Sequence, residues 1–358
     1  MSLYLGTTQI SGVATGDAAV NIQRARVALQ WTPKFTKMQT PTLSTISKAI
    51  TIKAMTYYDG YWYGVGNDAS GDAYKIYGAT TGNLTATIAS SGRNYPANGI
   101  ACDGTYIWIS LGSGAYSDRV LIRQDIATFR SSSTTFNVYT STAIHHTDIC
   151  RINDAHTFIF GSKPDGSGGG ISKITNGSTS VNFGYFYSTY CPEPIVSGCS
   201  YNGTAVAISA SGHILQWQDT SGTNVRYSQF SGNANHQMCR QMNQYFCVAY
   251  TTDNGTFIKF REGTVFDEYQ SFKITDEILT VVGMAYAGGL YVLVGVNASG
   301  ETKVWQATDI QNYGIYGYDT KVALSSGYIT RAMATDGTNI CLLADNGSAV
   351  QEALVAID

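Results

Sequence analysis

One turn signal recurs along this chain at a spacing that few architectures can use. It reads "YDG" (Asp59-Gly60), "CDG" (Asp103-Gly104), "IND" (Asn153-Asp154), "YNG" (Asn202-Gly203), "MNQ" (Asn243), "AGG" (Gly288-Gly289) and "TDG" (Asp336-Gly337), each between apolar runs. Successive intervals are 44, 50, 49, 41, 45 and 48 residues, the length of a unit of four short antiparallel strands. Asp, Asn and Gly are favoured at such points because a tight hairpin turn needs positive φ. In most units a second turn follows, "ASG" at Ala69–Gly71, Ala210–Gly212 and Ala298–Gly300, and "DNG" at Asp253–Gly255 and Asp345–Gly347. Five residues past its glycine stands Ile76, Trp217, Phe260 or Trp305. That position is expected to pack the third strand against a neighbouring blade. Glu352 breaks the pattern in the last unit.

Seven such units predict an all-β fold, a seven-bladed β-propeller. Alternation in "TYIWIS" and "ILQWQ" fits half-buried antiparallel strands, and helical periodicity is nearly absent. Each unit ends in an outer strand, such as "NLTATIAS", "TTFNVYTS" or "VNFGYFYS". The seventh unit stops one strand short, while an orphan, "STISKAITI" (Ser44–Ile52), precedes the first. The expectation is that the orphan pairs with the C-terminal hairpin as the outer strand of the last blade. Ring closure by this N-terminal strand removes exposed sheet edges. The domain organisation that follows is an arm over 1–43 and a propeller over 44–358.

Composition agrees and excludes some partners. A chain of 358 residues can bury one large core. Charged residues make up 13%, well below the roughly 25% usual for soluble domains. A net charge of −3 and a pI near 5.9 offer no broad attraction to nucleic acid or anionic membrane. No apolar run is long enough for a membrane-spanning helix, and no basic segment precedes an apolar one as a secretory signal would need. The seven cysteines are scattered without a CxxC, as expected of buried thiols in a chain folding in a reducing cytoplasm. The five histidines lack metal-ligand spacing, so no metal or cofactor is expected.

The first residues, "MSLYLGTTQISGVATG", lie outside the repeat. Over Leu3–Val13, an LYLG run followed by "QISG", the segment resembles the N-terminus of bacteriophage tail and tail-fibre proteins. The resemblance implies attachment to the virion through Leu3, Leu5, Ile10 and Val13, with other tail proteins as partners. It also implies a host-recognition region behind the leader and a final location on the phage tail, after folding in the host cytoplasm. Ile22, Val27, Leu29 and Trp31 follow. With the leader they make too apolar a segment for a purely solvated tail, and need a surface to cover.

Enzymatic propellers offer a test. Six-bladed sialidases and related glycosidases carry S-x-D-x-G-x-x-W repeats, with Trp three residues after Gly. Here Trp217 and Trp305 stand five residues after Gly212 and Gly300, and the Asp is absent. A WD40-type propeller is disfavoured too, since Trp-Asp is absent and Gly-His occurs once, at Gly212-His213. Adjacent acidic pairs occur only at Asp267-Glu268 and Asp276-Glu277. The expectation is a non-catalytic tail protein whose propeller binds a bacterial surface polysaccharide or receptor. A structural assembly component binding other virion subunits is one alternative, and a propeller glycoside hydrolase using paired carboxylates is another. The connections between blades gather Arg93, Tyr95, His145, His146, Tyr190, Glu193, His236, Asp276, Tyr328 and Arg331 as a candidate ligand-binding face. Rings of Tyr and His stack on sugars, and charged groups bond their hydroxyls. Ordinary solvated loop residues are the competing reading for each. His145 and His146 alternate sides if extended, so at most one faces a ligand. The glycine-rich stretch Gly161–Gly170 replaces the second turn of the third unit, as a contact loop or a tolerated insertion.

Overall fold

Where the repeat places Asp, Asn and Gly, the chain does turn with positive φ. Asp59 and Gly60 lie at φ 47° and 78°, Asn202 and Gly203 at 49° and 75°, and Gly288 and Gly289 at 54° and 84°. This is the left-handed geometry of a two-residue hairpin turn. Three other units use the Asp or Asn side chain, two of them together with a positive φ at Gly104 or Gly337. Asp103, Asn153 and Asp336 each accept two backbone N–H groups of the turn that follows.

The computed structural model describes residues 4, 5, 8, 9 and most of 38–357; within the latter, positions 72, 80–82, 89–95, 113–119, 131–136, 141–143, 180, 219–223, 312–319 and 323 are excepted. The chain divides into a unit Met1–Phe35 and a unit Thr36–Asp358. In the first, Tyr4–Leu5 pairs antiparallel with Thr8–Gln9. The second contains seven four-stranded antiparallel sheets. Their inner strands are Thr51–Tyr58, Ala97–Cys102, His145–Arg151, Ile195–Tyr201, Asn235–Met242, Thr280–Ala287 and Ile329–Thr335, here blades 1 to 7. Each inner strand neighbours the next, and that of blade 7 lies beside that of blade 1. This is a seven-bladed propeller.

In blades 1 to 6 the strands run outward in chain order. Blade 7 differs. Its Val350–Val355 strand pairs antiparallel with Thr42–Ile46, Thr42 opposite Leu354 and Ile46 opposite Val350. The expected orphan therefore divides. Ser44–Ile46 lies in this strand, whereas Thr51 and Ile52 already belong to the inner strand of blade 1. The divide falls where it does because Ile50 and Ile52 enter the core with Ile76, Leu343 and Val350.

The core lies between blades. Trp217 on the third strand of blade 4 packs on Phe158 and Phe160 of blade 3, with ring centroids 6.2 and 6.0 Å away. Trp305 of blade 6 meets Phe272 of blade 5 at 5.3 Å. Ile76 of blade 1 packs with Leu343 and Val350 of blade 7. Phe260 joins the cluster between blades 5 and 6. Burying each such side chain stabilises by roughly 1.5–3 kcal/mol. All seven cysteines are free thiols, and six are buried. Burial raises the thiols of Cys102 and Cys150 to about 11, which makes them inert packing groups at neutral pH.

The stretch Gly161–Gly170 is shorter as a loop than the sequence suggests, spanning 163–168. Its ends pair as strands, Ser162 opposite Gly169. Gly168 and Gly169 donate their N–H groups to the carbonyls of Pro192 and Cys191. Gly161 is required by close approach, since a Cβ there would fall 1.6 Å from the His145 carbonyl oxygen. Asp345, read from sequence as a turn residue, is the last residue of a strand and is 3% exposed at its side chain.

Candidate functional site

Each inner strand starts at a connection between blades and ends at a first turn. All seven carry a β-bulge at the equivalent step, where the pairing register skips Lys53, Asn98, Thr147, Val196, Gln237, Val282 or Arg331. A bulge frees one residue from the ladder and re-aims its side chain. All seven freed residues line one central cavity of about 890 Å³.

This end of the cavity is tied together at every junction. Ala97 N–H donates to Asn67 Oδ1 at 3.0 Å between blades 1 and 2. Asn98 donates to the His146 carbonyl at 2.9 Å, and Thr147 to the Ile195 carbonyl at 2.6 Å. Cys239 N–H donates to Ser197 Oγ at 3.3 Å. Gln237 uses both ends of its amide, donating to the Leu279 carbonyl at 3.0 Å and accepting from Val281 N–H at 2.8 Å. The hydroxyls of Thr302 and Thr330 lie 2.6 Å apart between blades 6 and 7. Ile52 N–H donates to Asp345 Oδ2 at 3.0 Å, which joins blades 7 and 1. Hydrogen bonds that satisfy buried backbone groups fix the ring of inner strands as a rigid mouth.

Deeper in the cavity, Asp148 and Arg240 clasp blade 4 from both sides. Asp148 Oδ2 accepts from Gly198 N–H at 3.0 Å and Ser197 Oγ at 3.3 Å. Arg240 Nη1 donates to Ser197 Oγ, the Gly198 carbonyl and the Cys239 carbonyl, and lies 3.6 Å from Asp148. Arg151 is bound to Asp154 at 3.0 Å. Among the described residues no group of three His, Cys, Asp or Glu side chains could hold a metal ion.

The residues expected at a ligand-binding face are spread over several settings. Arg93 and Tyr95 lie outside the described residues, as do Leu3, Ile10 and Val13 of the leader; Leu5 lies in the short strand Tyr4–Leu5. His145 and His146 begin the inner strand of blade 3, and His146 is 3% exposed, so its ring offers no platform to solvent. His236 is likewise buried. Its ring stacks on Phe230 at 4.9 Å, donates from Nδ1 to the Ala210 carbonyl at 3.1 Å, and has Lys259 Nζ 3.3 Å from Nε2. Burial pushes its pKa down to about 4, and the Lys259 ammonium acts in the same direction. The sequence pattern places both histidines in loops, but each is the second residue of a strand.

Glu193 is engaged by Ser211 and by His213 Nδ1, the latter at 3.2 Å. Burial raises its pKa, but hydrogen bonds from Ser209, Ser211 and His213 outweigh that and hold the carboxyl below its usual range. Asp276 is exposed and paired with Lys273. Tyr328 lines a separate groove with Glu301 and Leu324. Tyr190 is half-buried and stacked on Tyr227 at 4.3 Å, with Tyr227 57% exposed. Among the described residues of the expected set, Arg331 alone lines the central cavity. Sequence reasoning missed Lys53, Asn98, Thr147 and Gln237. The available signal is a polar residue at the second or third position of five of the seven inner strands, and it does not by itself reveal a bulge.

The fold and the mouth define a propeller, an architecture consistent with a binding or scaffold role. Solved structures with the same fold include "YCF48 bound to D1 peptide", at a TM-score of 0.63 and 10% identity, covering 91% of this chain and 99% of that one. "Crystal Structure of Mitotic Checkpoint Complex" matches at a TM-score of 0.61 and 9% identity, covering 89% and 96%. No protein-family model matches the chain, and no curated protein does. No helix among the described residues is long and apolar enough to cross a membrane.

Proposed function

We propose that this chain is a non-catalytic bacteriophage tail protein, held to the virion by its N-terminal segment, whose propeller binds a bacterial surface glycan. The observation that carries the binding reading is the mouth itself, seven bulged inner strands tied together at every junction around one cavity. A rigid ring that carries loops is what a recognition surface needs. The exposed stack of Tyr227 on Tyr190 favours a sugar, whose apolar ring face packs on an aromatic plane. The virion assignment rests on the resemblance of Leu3–Val13 to tail-protein leaders.

The acidic groups support the non-catalytic reading. Glu193, Asp276 and Asp267 are each held by a neighbouring cation or hydrogen-bond donor. Glycoside hydrolysis needs two carboxyls placed across one bond. The test is binding of the full chain to intact bacterial cells, with surface polysaccharides as competitors. Saturable binding that polysaccharide displaces without releasing reducing sugar is the expected result. Release of reducing sugar would make the chain an enzyme.

A second reading is that the same surface docks on another virion subunit. It is favoured by the fold shared with a propeller described as bound to a peptide. Binding to purified tails but to no cells is its signature.

A further inference from the structure

The seven bulge residues at the mouth do not contribute equally to a ligand site. Asn98, Thr147 and Gln237 are engaged in the hydrogen bonds between blades. Val196 and Val282 have no polar group to offer. The two that remain are Lys53 and Arg331, on blades 1 and 7, whose inner strands are neighbours. Both are exposed cations, in a chain whose net charge is −3.

Their settings differ in a useful way. Lys53 has no hydrogen bond or ion pair among the described residues, so no structural duty accounts for its charge. Arg331 is held from behind, its Nε donating to Asp345 Oδ2 at 3.2 Å. That carboxylate is 3% exposed, against 40% for the Arg331 side chain, and the same oxygen accepts Ile52 N–H. An incoming anion therefore meets the guanidinium before the carboxylate. Attachment through Nε leaves both terminal nitrogens without a partner among the described residues. A guanidinium fixed at one corner, with an ammonium on the adjacent strand, suits an anion that presents two oxygens.

We infer that Lys53 and Arg331 form an oxyanion-binding site at the channel mouth, which takes the carboxylate of an acidic saccharide such as a uronic acid. This rests on the reading of the propeller as a glycan binder. Asn98, Thr147 and Gln237 tie blades 2 to 3, 3 to 4 and 5 to 6 and contribute no charge.

The test is a ligand-observed NMR titration of the full chain with sodium glucuronate and, separately, with methyl glucoside. Saturable glucuronate binding is expected, with methyl glucoside at least tenfold weaker. Lys53→Gln, which breaks no contact among the described residues, is expected to weaken glucuronate binding roughly tenfold, the loss of one charge-assisted hydrogen bond. Arg331→Lys keeps the bond to Asp345 within reach while removing the fork, and should weaken it similarly. Arg226→Gln, on an outer strand, should leave it unchanged. Equal binding of the two sugars, or no effect of Lys53→Gln, overturns the inference. So does binding of tetraglutamate without glucuronate, which would assign the site to a protein partner. Cell binding that persists while glucuronate fails to bind overturns this inference and leaves the glycan reading in place. Glucuronate binding without any cell binding keeps the oxyanion site and removes the receptor reading.

Discussion

Asp345 and Ile52 stand 293 positions apart, yet the carboxylate of one accepts the backbone N–H of the other at 3.0 Å. The bond joins the last blade to the first, and its acceptor also holds Arg331. Of the bonds named across the seven junctions, this one lies between the parts of the chain most distant in sequence. Ile52 is 2% exposed, so water cannot replace the acceptor if it is removed.

Asp345→Ala is therefore expected to destabilise the propeller by about 1–3 kcal/mol, because it leaves the buried Ile52 N–H unsatisfied, while the 40% exposed Arg331 guanidinium turns to water. Asp345→Asn keeps one oxygen for Ile52 and should lose less than half as much. Urea unfolding midpoints of the two variants check the order; equal losses would mean that the Ile52 bond contributes little.

Trp217 tests the core between blades 3 and 4. Its ring contacts Phe158 and Phe160, and its Nε1 donates to Tyr187 Oη at 2.7 Å. Trp217→Ala should cost about 3–5 kcal/mol through the cavity it leaves. Trp217→Phe fills most of that volume but removes the donor, and should fall between the wild type and the alanine variant in a thermal melt.

These two sites mark what the sequence could and could not disclose. Turns such as Asp59-Gly60 are legible because few residues tolerate positive φ, and their spacing counts the blades. Trp217 and Trp305 are legible because a large apolar side chain at a repeated offset has little else to do than pack. Asp345 was not legible: next to "NG" it looks like a turn residue, and only the ring brings Ile52 to it. The bulges were hidden for a similar reason. A bulge is a property of two paired strands, so Lys53 or Gln237 alone looks like an ordinary polar residue. His146 and His236 were misplaced into loops because the strands start earlier than their apolar runs suggest. The His236 ring is buried between Phe230 and Tyr250, which the adjoining strands bring to it.

His236 predicts a pH dependence. Its ring is held at about 4 in the folded chain by burial and by Lys259, against about 6.5 when unfolded. Between those values the unfolded chain binds more protons, so stability falls as pH drops from 6.5 toward 4. The contribution present above pH 6.5 and lost by pH 4 is on the order of 3 kcal/mol. His236→Phe removes the titrating group while keeping a ring beside Phe230. Its stability, measured by urea unfolding from pH 7.5 to 4, should fall less steeply than that of the wild type. Parallel curves would show that His236 is not the group responsible.

Glu352 predicts the opposite sign. It occupies the third-strand position where other blades carry Trp217, Trp305 or Ile76, and is 1% exposed. Cys341 Sγ donates to its Oε1 at 3.4 Å, while Oε2 has no partner among the described residues. Burial raises its pKa above the ordinary carboxyl value, and the Cys341 bond only partly offsets that. The folded chain then holds a proton that the unfolded chain releases, so stability falls as pH rises from the unfolded value near 4.3 through the raised folded one. Glu352→Met replaces the carboxyl with an unbranched apolar side chain that can adapt to the same strand position. It should stabilise the propeller by about 1–4 kcal/mol at pH 8, as apolar replacement of a buried charge often does. The gain should shrink toward pH 3, where the carboxyl is neutral in either state. Unfolding curves at the two pH values decide it: a gain of equal size at both would assign the effect to packing, and a loss at pH 8 would mean that Glu352 has an acceptor role essential to blade 7.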